Sequence, residues 1–316
     1  MTARIARTLE QASGFGPSAV AIGVFDGVHL GHQELLRRTV AAARERGLKP
    51  AVLTFDPHPA CVVAPARAPK LLLSVEERCE RIAAAGIDEI LILPFDDRIA
   101  AMPPEEFASG PLRSALQARV ILVGDNFRFG CARAGTIATL TELGFETLPL
   151  TRIQFRGIDV SSSEIRKRVE AGDVSRACRL LNRPYATSGD IVHGHGIGSK
   201  QTVPTLNLAT GAEVLPATGV YITRTTDLAD GRQWKSITNV GRRPTFEEAG
   251  GLSIESFLLD PFTEPTPQRI RLEYLRRVRE ERKFSSPEAL KTQILKDVSA
   301  AKAYFRRLSP PRPSAD

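Results

Sequence analysis

The sequence has few of the features that mark secreted, membrane-spanning and zinc-stabilised proteins. Its 316 residues include only four cysteines, widely spaced and without a C-x-x-C pair, which argues against a disulfide framework and a structural zinc site. No apolar run approaches the ~20 residues that a membrane-spanning helix needs. The amino terminus is interrupted by charges where a secretory signal has an apolar core. We therefore predict a cytoplasmic protein with reduced thiols and no membrane partner.

The composition is that of a soluble globular chain. Apolar residues make up 42% of the sequence and charged residues 25%, which argues against collagen-like, low-complexity and wholly disordered proteins. The length allows two domains. Although the net charge is +7, acidic residues are interleaved with the basic ones, so no polybasic arm is present. We predict phosphate-bearing small molecules as partners and no nucleic acid.

The first half alternates strand-length apolar stretches with helical patterns. The predicted strands are AVAIGVF, AVLTF, EILILPF and RVILVG, and helices are predicted over residues 33–46 and 74–85. Such alternation is typical of an α/β fold with a doubly wound parallel sheet. Ser74 and Glu77 predict a capping box at the start of the second helix, and Gly86 predicts its end.

Around Asn182 the pattern changes to short strands separated by turns. GVYITRTT, QWKSITNVG, SIESFLLD and RIRLEYLRRV predict a small antiparallel β-barrel, with a sandwich as the alternative. A carboxyl-terminal helix is predicted from Pro287, with Ser286 as its N-cap. One of its faces should pack on the sheet through apolar residues at helical spacing: Leu290, Ile294, Val298, Ala301 and Phe305. We predict domains at 1–182 and 183–309 and a disordered tail at 310–316.

The segment GVFDGVHLGHQELL, residues 23–36, lies between the first predicted strand and a helix expected to begin near His32. A doubly wound sheet binds phosphates at such a turn. Gly27 and Gly31 permit close approach of the backbone, and His29 and His32 can donate to phosphate oxygens. A single histidine is more often a surface or core residue, but the H-x-G-H spacing on this turn favours a nucleotide site.

Two further segments follow predicted strands. TFDPHP, residues 54–59, places Asp56 and His58 on a turn at the carboxyl edge of the sheet, where it either borders a ligand or is a structural turn. GDNFRFG, residues 124–130, carries Asn126, Phe127 and Phe129. Its aromatic rings either stack on a ligand or anchor the loop in the core.

A fourth segment, VSSSEIRKR, predicts the start of a helix. Ser161 and Glu164 form a capping box in the sequence. Ser162 and Arg166 would then face a phosphate at that helix end, with capping alone as the alternative.

These four segments, in this order, resemble the H-x-G-H nucleotidyltransferases and, more closely, the bacterial bifunctional riboflavin kinase/FAD synthetases. The resemblance implies that the first domain adenylylates FMN with ATP and Mg²⁺, with His29, His32 and Arg166 as catalytic residues. It also implies a set of nucleotide- and flavin-binding residues: Gly23, Phe25, Asp26, Gly27, Gly31, His58, Asn126, Phe127 and Ser162.

The second domain resembles the riboflavin kinase part of the same family. VPTLNL, residues 203–208, implies Mg²⁺ ligands at Thr205 and Asn207, and SIESFLLD implies Glu255 as the catalytic base. ATP contacts are implied at Gly198, Lys200 and Pro204. On spacing alone, the alternatives are that the first segment is an ordinary edge strand and that Glu255 is a solvated outward residue.

The second domain departs from the family pattern in loops that should border the substrates. GHGIGSKQT stands in place of the glycine-rich run, PFTEPTPQR replaces a turn, and Phe257 replaces a histidine. We predict an enzyme that makes FMN from riboflavin and FAD from FMN, using ATP. The alternatives are an FAD synthetase with a flavin-binding but inactive second domain, a flavin-sensing protein, and a nucleotidyltransferase acting on another acceptor.

Overall fold

The computed structural model describes residues 3–192, 205–242, 252–261 and 265–308. The chain divides into two compact units, Met1–Glu164 and Ile165–Asp316. The domain boundary at residue 182 stays a prediction, and the predicted tail lies outside the described residues. Within the described ranges, no helix combines the length and apolarity needed to cross a bilayer.

The first unit alternates strands and helices along the chain. Its strands are β1 (Arg4–Ala6), β2 (Ser18–Ile22), β3 (Lys49–Asp56), β4 (Glu89–Pro94), β5 (Ala118–Gly124), β6 (Glu146–Leu150), β7 (Gln154–Phe155) and β8 (Ile158–Asp159). Its helices are α1 (Leu30–Glu45), α2 (Ala60–Val63), α3 (Val75–Ala84), α4 (Asp97–Ala100), α5 (Pro104–Phe107), which continues as a π-helix over Ala108–Ala115, and α6 (Ile137–Glu142).

Six of these strands form one parallel sheet in the order β1-β4-β3-β2-β5-β6. Successive side chains point to opposite faces, so alternate residues enter two separate cores. Val20 and Ile22 pack with the π-helix and α6 on one face, whereas Ala19 and Ala21 pack with α1 and α3 on the other. Helices therefore cover both faces, and the predicted doubly wound parallel sheet is confirmed.

The predicted ends of α3 are confirmed, whereas α1 begins earlier in the sequence than predicted. Ser74 and Glu77 form the predicted capping box, and Gly86 follows α3 with a φ of 91°. Helix α1, however, begins at Leu30 and not near His32, because His29 is its N-cap and accepts a hydrogen bond from the His32 amide. His32 consequently lies inside the first helical turn.

The second unit is a closed barrel preceded by two short helices and followed by a long one. Helix α7 (Ser162–Glu170) spans the division between the units, and α8 (Val174–Leu181) follows it. The strands are β9 (Tyr185–Val192), β10 (Thr205–Ala209), β11 (Gly219–Asp227), β12 (Gln233–Arg242), β13 (Leu252–Leu258) and β14 (Arg269–Glu280), and α9 (Pro287–Leu308) is the last helix. All pairings are antiparallel, in the order β10-β13-β12-β11-β14-β9 around the barrel. The predicted barrel and final helix are confirmed.

Helix α9 packs on the barrel only over its second half. Its N-cap is Ser286, whose hydroxyl accepts from the Ala289 amide, as predicted. Ala301 and Phe305 are buried against β11 and β12. The prediction that Leu290 and Ile294 pack on the sheet is wrong: they are 41% and 42% exposed, because a pocket separates them from the barrel.

Candidate active sites

The candidate site of the first unit lies where the sheet reverses its strand order. The chain proceeds outward from β2 through β3 to β4, and then returns to the other side of β2 with β5. Ligands of open α/β sheets bind at the carboxyl ends of the strands at such a point. The segment beginning at Gly23 follows β2, and the segment beginning at Gly124 ends β5. Two of the predicted motifs therefore flank the switch point.

The loop between β2 and α1 has an unusual backbone. Phe25, Gly27 and Val28 have φ angles of 57°, 77° and 39°. Glycine adopts positive φ at little cost, whereas a β-branched residue there is a genuine outlier. Such strain persists only where the surroundings over-determine the conformation, and it is concentrated at functional sites.

Polar contacts from several elements hold this loop in place. Two of them come from the neighbouring chain segments: Thr54 Oγ1 donates to the Val24 carbonyl (3.1 Å), and the Leu72 N–H donates to Asp26 Oδ1 (2.9 Å). The other two come from helices: Gln33 Nε2 donates to the Val28 carbonyl (2.9 Å), and Ser162 Oγ donates to the Asp26 carbonyl (2.8 Å). The loop is therefore fixed before any ligand binds.

The two imidazoles of the H-x-G-H segment form a stacked pair. The His29 and His32 ring centroids lie 3.7 Å apart with 14° between the ring planes. His29 Nδ1 accepts from the His32 amide at 3.3 Å, so a neutral His29 carries its proton on Nε2 and can donate from that atom. Gly31 makes this arrangement possible, since a Cβ there would lie 3.1 Å from His29 Cε1.

His32 is held in its neutral form. Burial lowers the pKa of His32 well below its ordinary value, and the positive charges of His29 and Arg78 lower it further. Its Nδ1 is buried and has no hydrogen-bond partner within the part of the chain that the structure describes. A buried polar atom left without a partner is costly, and a ligand would relieve that cost.

Sequence reasoning did not identify Arg78 on α3. This residue is only 3% exposed, and its guanidinium donates to the carbonyls of Val24 at 2.8 Å and Phe55 at 2.9 Å. The contact could not have been found from sequence, because it depends on how α3 crosses the ends of β2 and β3.

The other predicted residues of the first unit occupy different settings. His58 follows β3 and its Nδ1 accepts from the Ala60 amide at 3.0 Å. Asn126 is exposed in the loop after β5. Phe127 is half-buried and stacks at 5.7 Å on Phe129, which is 7% exposed and belongs to the core. Phe129 is thus a loop anchor, whereas a role for Phe127 in ligand binding stays a prediction.

The start of α7 carries the fourth motif. Ser161 accepts from the Glu164 amide at 3.2 Å and caps the helix. The Ser162 hydroxyl donates to the loop between β2 and α1, at the Asp26 carbonyl. Arg166 is half-buried one turn further along the helix and belongs to the second unit. Its catalytic role stays a prediction.

In the second unit, the predicted residues meet on the outer face of the barrel. Asn207 on β10 and Asn239 on β12 are both directly opposite Glu255 on β13. Opposed residues in antiparallel strands have Cβ atoms about 5 Å apart. Thr205 points the same way as Asn207, since Leu206 between them is buried in the barrel. Three oxygen-bearing side chains are therefore brought beside one carboxylate.

A pocket of about 870 Å³ lies over this row, between the barrel and the first half of α9. Thr205, Asn239 and Glu255 form part of its polar lining. The apolar lining comes from the barrel and from α9: Val220, Ile237, Phe257, Leu290 and Ile294. A pocket of this size, apolar with a few convergent polar groups, is typical of a small-molecule site.

A basic cluster that sequence reasoning missed borders the same pocket. Arg279 donates to Asp297 at 2.8 Å. The guanidinium groups of Arg279 and Arg282 both lie over the Phe284 ring, 5.5 and 5.0 Å from its centroid. Arg282 also donates to Gln293 on α9. These contacts fix the segment that joins β14 to α9, at the pocket edge.

The oxygen donors of the row suit a hard divalent cation. Hydroxyl, amide and carboxylate oxygens are the ligands that Mg²⁺ prefers, and Mg²⁺ needs few of them because it retains waters and phosphate oxygens. Within the described residues, no group of three His, Cys, Asp or Glu side chains could hold a metal without substrate. Gly198, Lys200 and Pro204 lie outside the described residues, so their ATP contacts stay predictions.

Comparison with known proteins assigns both units to one family. Residues 13–164 match the family described as FAD synthetase, and residues 181–305 match riboflavin kinase. The bifunctional riboflavin kinase/FMN adenylyltransferase of Pseudomonas fluorescens is 35% identical over 286 residues, covering 89% of this chain and 91% of that protein. This chain belongs to the bifunctional riboflavin kinase/FMN adenylyltransferase family.

A second curated relative agrees with the family assignment, and one solved structure shares the fold over nearly the whole chain. The bifunctional riboflavin kinase/FMN adenylyltransferase of Escherichia coli K12 is 32% identical and covers 92% of this chain and 94% of its own length. A crystal structure described as a macrolide-efflux protein from Streptococcus pneumoniae has a TM-score of 0.85 and 26% identity, covering 96% of this chain and 99% of the other. The motif resemblance to the bifunctional riboflavin kinase/FMN adenylyltransferase family, and the expectation of a transferase, are confirmed.

Proposed function

We propose that this chain phosphorylates riboflavin to FMN in its second unit and adenylylates FMN to FAD in its first unit, with ATP as the co-substrate of both reactions. The observation that carries the proposal is the presence of both sites on one chain. The stacked His29–His32 pair lies at the switch point of the sheet. In the barrel, Glu255 lies opposite Asn207 and Asn239, and Glu255 and Asn239 line a pocket.

In the first unit, the reaction needs alignment and charge neutralisation more than proton transfer. A phosphate oxygen of FMN forms a bond to the α-phosphorus of ATP, and the bond from that phosphorus to the leaving pyrophosphate breaks. Because the nucleophile is already an anion, no general base is required. His29 donates from Nε2, the neutral His32 donates to a phosphate oxygen, and Arg166 supplies positive charge.

Several residues of the strained loop and its neighbours would bind the nucleotide and the flavin. The backbone at Gly27 and Gly31 lets phosphate oxygens approach closely, helped by the positive end of α1. Gly23 would contribute by fixing the start of the loop, because its amide donates to the Leu53 carbonyl at 3.1 Å. Phe25 and Asp26 fix the loop, as does Ser162 through its bond to the Asp26 carbonyl. His58, Asn126 and Phe127 lie at the ends of neighbouring strands, where the adenine or flavin ring would lie.

In the second unit, Glu255 acts as the general base. It accepts the proton of the riboflavin 5′-hydroxyl as that oxygen bonds to the γ-phosphorus of ATP and ADP leaves. The apolar wall made by Ile237, Phe257 and Ile294 would pack against the flat flavin ring. The polar row at the other side of the pocket then receives the ribityl chain.

Mg²⁺ would be held by Thr205 and Asn207 together with phosphate oxygens of ATP. When bound, this ion neutralises charge on the phosphates. The protein side chains orient the nucleotide, and Glu255 holds the proton that leaves the hydroxyl.

A second unit that binds flavin without phosphorylating it is the less favoured alternative. The described part of the barrel keeps Thr205, Asn207 and Glu255 in register, and the relatives in Pseudomonas fluorescens and Escherichia coli K12 carry both activities in their names. A flavin sensor without activity would have no need of the H-x-G-H segment, and a transferase for another acceptor would have no need of this row.

The test is to incubate the purified chain with ATP and Mg²⁺ and either riboflavin or FMN, and to resolve the flavins by chromatography. The wild-type chain should give FMN and FAD from riboflavin. His32→Ala should lower FAD formation by about 10²–10³-fold, the usual effect of losing one transition-state donor. FMN formation from riboflavin should be unchanged.

Glu255→Gln should have the opposite effect, on FMN formation and not on FAD formation. FMN formation should fall by about 10²–10⁴-fold, because the carboxylate that accepts the proton is gone. FAD formation from supplied FMN should be unaffected. Loss of both reactions in either variant would contradict two separate sites, and wild-type FAD formation from FMN alone would support the alternative.

A further inference from the structure

A buried arginine joins the two strand ends from which the nucleotide loops of the first unit begin. Arg78 Nη1 donates to the Val24 carbonyl just after β2, and Nη2 donates to the Phe55 carbonyl near the end of β3. The chain continues from Val24 into the H-x-G-H loop and from Phe55 into the turn of His58. One guanidinium thus fixes the distance between the starts of two loops.

No ion pair explains why this buried position carries a charged side chain. Arg78 is 3% exposed, and the described residues place no carboxylate in salt-bridge contact with it. Asp26 and Asp56 act on it only at longer range, and burial lowers the pKa of its guanidinium. A buried charge is costly to remove from water, so an apolar side chain would stabilise a purely structural position better.

The loop that Arg78 supports is the strained one. The Val24 carbonyl directly precedes Phe25, and both Phe25 and Val28 have positive φ. The same carbonyl accepts from Thr54, but that hydroxyl belongs to β3 and cannot tie α3 to the loop. Without the guanidinium, the loop loses its link to α3 at the point where its strain begins.

Arg78 is also one of the two charged groups that act on His32, the other being His29. The guanidinium is fixed by two hydrogen bonds, so its charge stays at a constant place within electrostatic reach of His32. A fixed positive charge that is not itself neutralised adds to the potential that a bound triphosphate would meet.

We propose that Arg78 is a positioning residue for adenylyl transfer: it holds the loop from Val24 to His32 in its strained conformation and keeps a fixed positive charge near His32. The inference rests on the proposed function of the first unit. Arg78 does not contact the substrate in this proposal. It affects the reaction only by holding the loop and by its charge near His32.

The test compares Arg78→Met and Arg78→Lys with a matched control. Arg67→Met removes the same charge from an exposed residue in a short 3₁₀ turn of the same unit. For FAD formation from FMN, Arg78→Met should lower kcat/KM for ATP by about 100-fold, the usual effect of a misplaced catalytic group. Arg78→Lys should recover part of this loss, because it keeps the charge but not the planar fork. Arg67→Met should match the wild type.

A second measurement separates positioning from a general loss of structure. The chain has only five histidines, so NMR titration can follow the imidazole of His32, assigned with His32→Gln. The pKa of His32 should rise in Arg78→Met, because a positive charge near the imidazole has been removed. It should stay near the wild-type value in Arg78→Lys. FMN formation from riboflavin should be unchanged in all variants.

Three results would overturn the proposal. In the first, Arg78→Met keeps wild-type FAD kinetics. In the second, FAD formation falls while the titration of His32 does not move. In the third, Arg78→Met loses both FMN and FAD formation, as expected from a folding defect. Failure of the proposed function is a different result: the wild type would then make no FAD, and the His32 titration alone would decide whether Arg78 positions the loop.

Discussion

At the scale of single residues, the H-x-G-H segment shows why its glycine matters. Gly31 has an ordinary helical position, so its role is not backbone freedom. A Cβ at this residue would lie 3.1 Å from His29 Cε1 and 3.2 Å from His29 Nδ1. Contacts that short require the neighbour to move. The His29 ring can stack on His32 only because residue 31 has no side chain.

Gly31→Ala should therefore lower FAD formation without unfolding the first unit. The added methyl group displaces the His29 ring and weakens its hydrogen bond with the His32 amide. We expect kcat/KM for FMN adenylylation to fall by about 10–100-fold, in line with a displacement of less than 1 Å. The measurement is steady-state FAD formation from FMN, with FMN formation from riboflavin as the internal reference.

Gly110→Ala is the matched control for this substitution. Gly110 lies in the π-helix of the same unit, and a Cβ there meets nothing within 4 Å. It should behave as the wild type. Equal activity of Gly31→Ala and Gly110→Ala would show that the His29 ring need not be held where the structure has it.

At the scale of elements, the barrel interior contains a closed ring of hydroxyl groups. The ring runs from Thr225 to Ser236, Thr223, Thr238 and Ser256 and back to Thr225, with oxygen separations of 2.7–3.2 Å. All five side chains are fully buried. Each hydroxyl can donate once and accept once around the ring, so every proton is used. Such networks are stabilising when complete and costly when broken.

Thr223→Val should destabilise the barrel by about 1–3 kcal/mol, because Ser236 and Thr238 each lose a partner in a dry interior. Val is close to isosteric with Thr, so the change removes a hydroxyl and leaves little cavity. Trp234 is the only tryptophan of the chain and is 5% exposed in the barrel, so its fluorescence reports the unfolding of this unit in urea. Thr226→Val, on the same strand but half-buried, is the control and should leave the midpoint unchanged.

The sequence predicted the helices that have clear capping residues and the strands that are long enough to show an alternating pattern. Ser74, Glu77 and Gly86 predicted both ends of α3. The alternation of apolar and polar residues along β11 to β14 predicted the barrel. The sequence did not predict β1 or β6, because strands of three and five residues with mixed polarity carry weak patterns. The hydroxyl ring was also beyond prediction, since it depends on register between three strands.

In the candidate sites, too, the sequence predicted some residues and missed others. The residue types of His29, His32, Thr205, Asn207 and Glu255 could be read from motif spacing, and the structure brings them together as two groups, one in each unit. Arg78 and the Arg279–Phe284–Arg282 cluster could not be found, because a buried arginine and a basic loop have no distinctive local pattern. Leu290 and Ile294 had the correct helical spacing, but spacing does not distinguish packing on a barrel from lining a pocket.

At the scale of the whole molecule, the stacked histidines and the Glu255 row belong to separate units with separate cores, whereas Arg166, predicted for the first site, belongs to the second unit. The His29–His32 pair belongs to the sheet, and the Glu255 row belongs to the barrel. Neither set includes a residue whose substitution should alter the chemistry of the other. FMN, the product of one reaction, is the acceptor of the other.

Two inactive variants should therefore complement each other when mixed. His32→Ala should still make FMN from riboflavin, and Glu255→Gln should still convert FMN to FAD, so the mixture should form FAD from riboflavin although neither variant does so alone. FMN has to pass through solution between different chains, so FAD should appear after a lag. The lag should shorten as the concentration of His32→Ala rises, because FMN then reaches the KM of the second enzyme sooner. The measurement is a chromatographic time course of riboflavin, FMN and FAD. A mixture that accumulates FMN without FAD, while Glu255→Gln alone converts added FMN, would show that the FMN is retained on the chain that made it.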